Sequence, residues 1–360
     1  MKSENNSFDA AIRAHDEAVE ATGIDVWIGA EPTFTNRNSE LPEWLSEALG
    51  ETKQDYACRI IKQLHDRYPG SIILRTLGRQ YAGEPRPRWS LGLYRRRDGR
   101  TLADGLPADP LGEACACDMQ DMIAFWQSLA VQLNRNGKAA TGFQVDVEMG
   151  LRILFSAETQ TISVDPAADS RLLRAPVQSR AIPPEGLEDD LAADGLYLVA
   201  IGCAPSGQDN SLQPCIELPG FGDVEVFADL VQCVAIAAAA SVVTHLVWRG
   251  FQPPVDASIA WMTLTPDPAV LEVNEAPAAS IAGFLDMSRR LFDVVHSSGL
   301  APYRLNYNGN ISESGGGGQF TLGGPSAERS PFFVAPQLLS RLVVYLNHHP
   351  SLSYWFAPVY

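Results

Sequence analysis

Hydrophobic and polar positions along this chain follow two periods, one typical of helices and one typical of strands. Apolar residues that recur every three or four positions predict helices, which cover residues 8–22, 53–68, 118–133, 223–243, 281–297 and 334–346. Short apolar runs between Gly, Pro and polar clusters predict strands, at residues 26–30, 71–75, 91–94, 196–201, 213–218 and 246–248. A hairpin is expected over residues 259–274, around the proline turn at Pro266 and Pro268.

These elements indicate an α+β fold. Strands and helices mix without a regular βαβ rhythm and no period of 20–50 residues recurs, so we expect a largely antiparallel sheet with packed helices. We expect a single large domain over residues 1–360, with a variable connection at 165–195, where Pro, Arg and acidic residues are concentrated.

Charge is unevenly distributed along the chain. Lys and Arg number 27 against 43 Asp and Glu, a net charge of −16 that argues against nucleic-acid or anionic-membrane binding. Between Arg75 and Arg100, however, eight arginines lie with only two acids, Glu84 and Asp98. An arginine-rich segment in an acidic protein predicts a binding place for one small anion.

The sequence favours a cytoplasmic protein. The first six residues lack the apolar segment of a signal peptide, and no apolar run reaches the ~18 residues of a transmembrane helix. The run from Val231 to Val243 is better explained as a core helix. Six cysteines are scattered through the chain, and we expect them to be reduced thiols, including the close pair Cys115 and Cys117.

Two strand segments carry carboxylates that could bind a metal ion. Glu31 ends an apolar run and precedes a rigid proline, and Glu272 and Asn274 are two residues apart and therefore share one face of a strand. Oxygen donors on a rigid strand suit Mg²⁺. The alternative in both places is a strand whose polar residues simply face solvent.

The arginine-rich segment contains a stiff loop, Gly83-Glu84-Pro85-Arg86-Pro87-Arg88-Trp89. Arg86 and Arg88 present planar donors that suit phosphate or carboxylate, and the prolines reduce the entropy lost on binding. Surface charge is the alternative for this loop, and it is favoured for the arginines at 95–97.

A run of glycines, Gly315, Gly316, Gly317 and Gly318, precedes Gln319. Glycines permit close backbone approach and anion-binding amide groups, so a nucleotide contact is one interpretation of this run and a flexible hairpin tip is the other. It is not a Walker A loop, because no Lys-Ser/Thr pair follows. A hydrolase or transferase is disfavoured, because no Gly-x-Ser-x-Gly elbow or convincing Cys–His pair occurs.

Several of these motifs occur together, and in order, in one known family. The chain resembles, from about residue 14 onward, the amidoligase domain found C-terminal to bacterial transglutaminase-like domains. The motifs are Trp27–Phe34, Gly83–Trp89, Thr265–Asn274, Gly315–Gly324 and Asn347–Tyr354.

The resemblance implies a glutamine-synthetase-like fold and ATP-dependent amide formation through an acyl phosphate. It implies Mg²⁺ bound by Glu31, Glu272 and Asn274, and an anion held by Arg86 and Arg88, with Glu84 either a further ligand or a residue that orients those arginines. The Gly315–Gly318 run and Gln319 would close over ATP. A small-molecule or peptide carboxylate and an amine would be substrates, and transglutaminase-like or ATP-grasp proteins would be associated partners.

The sequence departs from the family pattern at two positions. Many relatives carry His residues before and directly after the glycine run, where this chain has Ile311 and Gln319. Glutamine forms hydrogen bonds but cannot shuttle a proton as histidine does. The alternative function is therefore a catalytically silent module that binds a peptide or a partner protein.

Overall fold

The computed structural model describes residues 2–111, 115, 117–158, 162, 168–177, 188–205, 212–316 and 318–352. The chain divides into two compact units. Unit 1 comprises Met1–Ile60 and Met262–Tyr360, and unit 2 comprises Ile61–Trp261. The single-domain organisation expected from the sequence stays a prediction, and residues 165–167 and 178–187 of the connection at 165–195 lie outside the described residues.

Helices and strands both contribute to each unit. The α-helices of the described residues are α1 Lys2–Glu20, α2 Lys53–Arg67, α3 Met119–Arg135, α4 Val224–Ser241, α5 Ile281–Ser297, α6 Pro331–Val334 and α7 Gln337–His348. The strands are β1 Trp27–Glu31, β2 Thr33–Phe34, β3 Ile72–Leu77, β4 Trp89–Arg96, β5 Ala139–Gln144, β6 Leu151–Ser156, β7 Leu196–Pro205, β8 Leu212–Leu218, β9 Val247–Gly250, β10 Ile259–Asp267, β11 Val270–Glu275, β12 Tyr303–Leu305, β13 Ile311–Glu313 and β14 Gln319–Gly323.

Unit 2 contains a mixed sheet of seven strands in the order β4-β3-β9-β8-β7-β6-β5. Strands β3, β9 and β8 are mutually parallel, and the remaining neighbours are antiparallel. Helices α3 and α4 pack on one face of this sheet, where Phe125, Leu129 and Phe227 are fully buried. Both helices begin at an aspartate whose carboxylate accepts a backbone N–H of the first turn, Asp118 for α3 and Asp223 for α4.

Unit 1 contains an antiparallel sheet in which β11 lies between β2 and β10, and two separate strand pairs, β1 with β14 and β12 with β13. Helix α5 buries Leu291 and Val294, and Phe292 meets Phe34 of β2 edge to face. Asp16 of α1 accepts the backbone N–H groups of Ile281 and Ala282, which fixes α1 to the start of α5.

The structure confirms the α+β class and several individual elements, and it corrects others. The hairpin around Pro266–Pro268 is confirmed as β10 and β11. The sheet of unit 2 is mixed, however, because three of its strands run parallel. The expectation of reduced cysteines is wrong for Cys117 and Cys203, which form a disulfide in unit 2.

One helix of the described residues, α4, is long and apolar enough to span a membrane. Its side chains Leu230, Val231 and Val234 are fully buried in the core of unit 2. That burial is typical of the core helix predicted from the sequence.

Candidate active site

Glu31 lies at the end of β1, directly opposite Gln319 of β14. Directly opposed residues of an antiparallel pair share a face, so both side chains lie on the same side of this two-stranded sheet. Pro32 then ends the strand because it has no N–H to donate, while its carbonyl accepts the backbone N–H of Val273 in β11. The chain thus brings the end of β1 against the strand that carries the other predicted ligands.

Glu272 and Asn274 lie on one face of β11, as the spacing predicts. The side-chain amide of Asn274 donates to Oε1 of Glu272 at 2.9 Å. Both side chains are half-buried, whereas the neighbouring Leu271 and Val273 are fully buried on the opposite face. The hydrogen bond fixes the orientation of the Glu272 carboxylate and of the amide oxygen beside it.

Thr33 connects β1 and β11, the strands of Glu31 and Glu272, to the glycine segment. The glycine segment consists of residues 314–316, 318 and 319. Thr33 is the register partner of Glu272, and it follows Glu31 by two residues. Its hydroxyl forms a 2.6 Å hydrogen bond with the hydroxyl of Ser314, and both residues are buried. The glycine segment is therefore held against the strands that bear Glu31 and Glu272.

Close packing explains Gly315 and Gly316 of this segment. A Cβ on Gly316 would lie 2.6 Å from Cγ2 of Val270 and 3.1 Å from Cγ2 of Thr33. Gly315 has a φ of +104°, and a Cβ there would lie 3.2 Å from the guanidinium carbon of Arg304. A Cβ on Gly318 would lie 3.9 Å from the carbonyl oxygen of Glu31.

The segment links two different strand pairs, because β13 pairs with β12 whereas β14 pairs with β1. The hairpin-tip interpretation is therefore wrong for the described residues of this run. Gly317 lies outside them.

The guanidinium of Arg304 packs against the start of the glycine segment, at Gly315. Its Nη2 donates to the carbonyls of Trp44 at 2.7 Å and of Ala269 at 3.0 Å. Burial lowers the pKa of this guanidinium, and the charge of Glu313 partly offsets that effect. The arrangement ties the start of the glycine segment to the turn between β10 and β11.

Glu275 ends β11 in a different environment from that of Glu272. It is 3% exposed, and neither carboxylate oxygen has a hydrogen-bond partner among the described residues. Burial raises the pKa of Glu275 to about 7. The strand thus carries a half-buried carboxylate on one face and a buried one on the other.

The predicted metal site consists of two carboxylates and one amide. Within the described ranges, no three or more His, Cys, Asp or Glu side chains form a group that could hold a metal ion. Mg²⁺ needs few protein ligands, since it usually keeps several waters and substrate phosphate oxygens. The donor set of Glu31, Glu272 and Asn274 fits that chemistry, and its use as a metal site stays a prediction.

The predicted arginine loop belongs to unit 2, where it joins β3 to β4. Glu84 accepts from the Arg88 guanidinium at 2.8 Å and 2.7 Å, and its other oxygen accepts the backbone N–H of Tyr81. The Arg88 guanidinium also lies over the Tyr81 ring, 4.2 Å from its centroid. Glu84 is therefore placed to orient Arg88, and both of its predicted roles stay predictions.

Arg86 differs from Arg88 in its surroundings. Its side chain is exposed, and among the residues that the structure describes it forms no ion pair. The structure therefore groups Glu31, Glu272, Asn274, Gln319 and the glycines in unit 1, and Glu84, Arg86 and Arg88 in unit 2. The predicted convergence of the two groups stays a prediction.

Sequence reasoning missed a row of charged residues on the sheet of unit 2. Register partners across five strands place Arg152, Ala200, Glu217, Arg249 and Arg75 in one line, on the face opposite α3 and α4. We call the four charged members the charged row. Each is the single charged residue of a largely apolar strand. Such an isolated charge is the sequence signal from which the charged row could have been predicted.

Three members of the charged row, Arg152, Glu217 and Arg249, are buried, whereas Arg75 is partly exposed. Glu217 is 2% exposed and accepts the backbone N–H of Val177 at 2.8 Å, and Arg75 forms a 2.6 Å ion pair with Asp109. Burial raises the pKa of Glu217 even though the Val177 amide and the charges of Arg249, Arg152 and Arg174 act to lower it.

The chain belongs to the family described as "Putative amidoligase enzyme", which matches residues 3–168 and 208–360. The match covers both units, and the unmatched residues 169–207 overlap the connection expected to vary. No curated protein and no solved structure matches the chain.

Proposed function

We propose that this protein is an ATP- and Mg²⁺-dependent carboxylate–amine ligase that acts through an acyl phosphate. The observation that carries the proposal is the junction in unit 1, where Thr33 joins the strand of Glu31, the strand of Glu272 and the glycine segment. Carboxylates beside a glycine-lined backbone suit a site for a metal-bound nucleotide phosphate. Membership of an amidoligase family supports the same reaction class.

In this proposal the chain supplies three kinds of contact. Glu31, Glu272 and the amide oxygen of Asn274 hold Mg²⁺, which neutralises negative charge on the phosphate oxygens during transfer. Backbone N–H groups of the glycine segment contact phosphate. Arg86 and Arg88, the latter oriented by Glu84, bind the anionic substrate group.

The reaction would proceed in two displacements. An oxygen of the substrate carboxylate attacks the γ-phosphorus of ATP, which forms an acyl phosphate and releases ADP. The amine nitrogen then attacks the carbonyl carbon and loses a proton, the amide bond forms, and inorganic phosphate leaves with the bonding electrons and takes up that proton. The residues of the chain orient both substrates and stabilise charge in these steps.

We further propose that the fold belongs to the glutamine-synthetase-like superfamily. The support is the resemblance of five ordered motifs, together with a mainly antiparallel sheet that carries the carboxylates. Association with transglutaminase-like or ATP-grasp proteins is proposed on the resemblance alone.

ATP consumption by the purified protein tests the proposed reaction. ADP release would be followed with pairs of amino acids and peptides as carboxylate and amine donors, with Mg²⁺ and with EDTA. We expect turnover that needs Mg²⁺ and both donors, with one amide formed per ADP. ADP release that is unaffected by the donors would contradict the ligase.

The second candidate is a catalytically silent peptide-binding module. It is favoured by Gln319, which faces Glu31 where many relatives have a histidine, and by Ile311, which is 71% exposed. It predicts no Mg²⁺-dependent binding of ATP in equilibrium dialysis, together with saturable binding of a peptide. Substituting Gln319→His is expected to raise ligase activity if the first proposal holds.

A further inference from the structure

A pocket lies wholly within unit 2. It has a volume of about 600 Å³, which is within the range of small-molecule sites. Its lining includes Gly78, Gly220 and Gly250, which follow or end strands β3, β8 and β9. Because these three strands are parallel neighbours, their carboxyl ends meet at one edge of the sheet. Crevices at such edges are common ligand sites in α/β sheets.

The walls of this pocket are rigid. The ring of Phe221 stacks on Tyr197 with centroids 5.5 Å apart and meets Phe227 edge to face. Gly220 donates its backbone N–H to Asp189 at 2.9 Å, and Asp189 is bound by Arg174 at 2.8 Å. The lining is thus held by the core on one side and by a buried ion pair on the other.

An unsatisfied hydroxyl lines this pocket. Thr76 is 4% exposed, and its Oγ1 has no hydrogen-bond partner among the residues that the structure describes. A buried hydroxyl without a partner costs free energy that a bound polar group would recover. A ligand with a hydrogen-bonding group would satisfy this hydroxyl if the atoms that cover it moved aside.

Besides Asp189, which is paired with Arg174, two residues of opposite charge line the pocket, Arg79 and Glu188. Both side chains are exposed, and neither forms an ion pair with any residue in the described ranges. The pocket also borders the start of α4, since Gly222 lines it and Asp223 caps the helix. A ligand that carries both a carboxylate and an ammonium group would match the two charges.

We propose that this pocket binds a free α-amino acid, with its carboxylate at Arg79, its ammonium group at Glu188 and its side chain near Phe221 and Thr76. Binding itself does not depend on the proposed ligase activity. We further infer that this amino acid is the amine substrate of the ligase, and this second step rests on the proposed function.

Saturation-transfer NMR with the twenty L-amino acids, without ATP or Mg²⁺, tests the pocket. We expect a small group to bind, and we expect the C-terminal amide and the N-acetyl derivative of the best binder to bind at least tenfold more weakly. Arg79→Gln should weaken binding of the amino acid at least tenfold, so that the amino acid no longer binds more tightly than its amide. Glu188→Gln should remove its advantage over the N-acetyl derivative.

Matched variants separate this site from nonspecific effects. Arg100→Gln removes an arginine whose side chain is 80% exposed and should leave binding unchanged. Gly222→Leu extends a side chain from the lining into space where no atom lies within 4 Å of its Cβ, and it should abolish binding without unfolding the protein. Thr76→Val, which removes the hydroxyl and keeps the shape, should weaken binding several-fold.

Two results would overturn the proposal. One is that no amino acid binds at millimolar concentration, and the other is that binding is equal in the wild type, Arg79→Gln and Gly222→Leu. Failure of the ligase proposal would look different, because ATP turnover would be absent while amino-acid binding kept its dependence on Arg79.

Discussion

The two units use charged residues in opposite ways. In unit 1, Glu31 and Glu272 have the same charge and are half-buried. Their strands also carry the amide oxygen of Asn274 and contact the backbone of the glycine segment. In unit 2, the charged row combines both signs, and Arg152, Glu217 and Arg249 of this row are buried. Like charges side by side destabilise a fold unless a cation joins them, whereas buried opposite charges compensate each other.

This contrast separates a candidate binding site from a structural network. A half-buried carboxylate can be replaced with little cost in stability, and its loss should appear in binding or catalysis. A buried, hydrogen-bonded charge should show the reverse, because its partners are left without compensation.

The largest expected effect is on activity in unit 1. Glu272→Gln keeps an oxygen for the Asn274 amide and removes the charge, so Mg²⁺-dependent ATP turnover should fall at least ~100-fold. The unfolding free energy should change by less than about 0.5 kcal/mol. Steady-state ADP release and urea unfolding measure the two quantities.

Glu17→Gln is the control for this substitution, since Glu17 is an exposed acid of α1. The contrast between the units breaks down if Glu272→Gln unfolds the protein and leaves turnover per folded molecule unchanged.

Glu217→Ala should produce the largest loss of stability. It removes the acceptor of the Val177 amide and a buried negative charge that interacts with Arg249, Arg152 and Arg174, so we expect a loss of about 3 kcal/mol. Urea unfolding at pH 7 measures it. An equally large loss from Glu31→Ala would show that both units use their carboxylates structurally.

The pH dependence of stability gives a sharper test of Glu217. Its folded-state pKa lies above the usual 4.5 because of burial, despite the facing Arg249, Arg152 and Arg174 and the Val177 amide. The folded state therefore binds the proton more tightly, and this contribution is fully present below pH 4.5 and lost as pH rises through the folded pKa. Unfolding free energies measured from pH 4.5 upward should decline more steeply for the wild type than for Glu217→Gln. Parallel curves would contradict the shift.

Elements with local signals could be predicted from the sequence. The helix starts at Asp118 and Asp223 are set by one side chain and its own first turn, and the β10–β11 hairpin is set by a proline turn between two apolar runs. Residues two apart on β11 share a face whatever surrounds them, so the relation of Glu272 to Asn274 was also predictable.

Long-range pairing could not be predicted in this way. No pattern in the sequence indicates that β1 pairs with β14, almost 300 residues away, and this pairing puts Glu31 opposite Gln319. The hydrogen bond between Thr33 and Ser314 has the same origin. Among the arginines at 75–100, sequence alone did not separate Arg88, held by Glu84, from Arg75, which belongs to the charged row.

The glycine segment offers a prediction of intermediate size. Gly315→Ala places a methyl group at a φ of +104° and 3.2 Å from Arg304, so stability should fall by about 1–2 kcal/mol. Gly318→Ala meets only the Glu31 carbonyl, 3.9 Å away, and should cost less than about 0.5 kcal/mol. If Gly318 approaches phosphate, its variant should still weaken ATP binding, measured by calorimetry. Equal stability of the two variants would remove the packing argument for Gly315.

The smallest expected effect concerns the exposed end of the arginine-rich segment. Arg96 binds Asp98 through three hydrogen bonds, and this contact holds the pKa of Asp98 at about 2. The pair nevertheless lies in solvent, where water competes for both charges and salt screens them, so a low pKa does not translate into a stable fold. Arg96→Met should therefore leave the thermal midpoint unchanged in low and high salt. Arg88→Met should lower it, because Arg88 and Glu84 are only 12% and 17% exposed. A lower midpoint for Arg96→Met would show that burial does not separate structural charges from solvated ones in this protein.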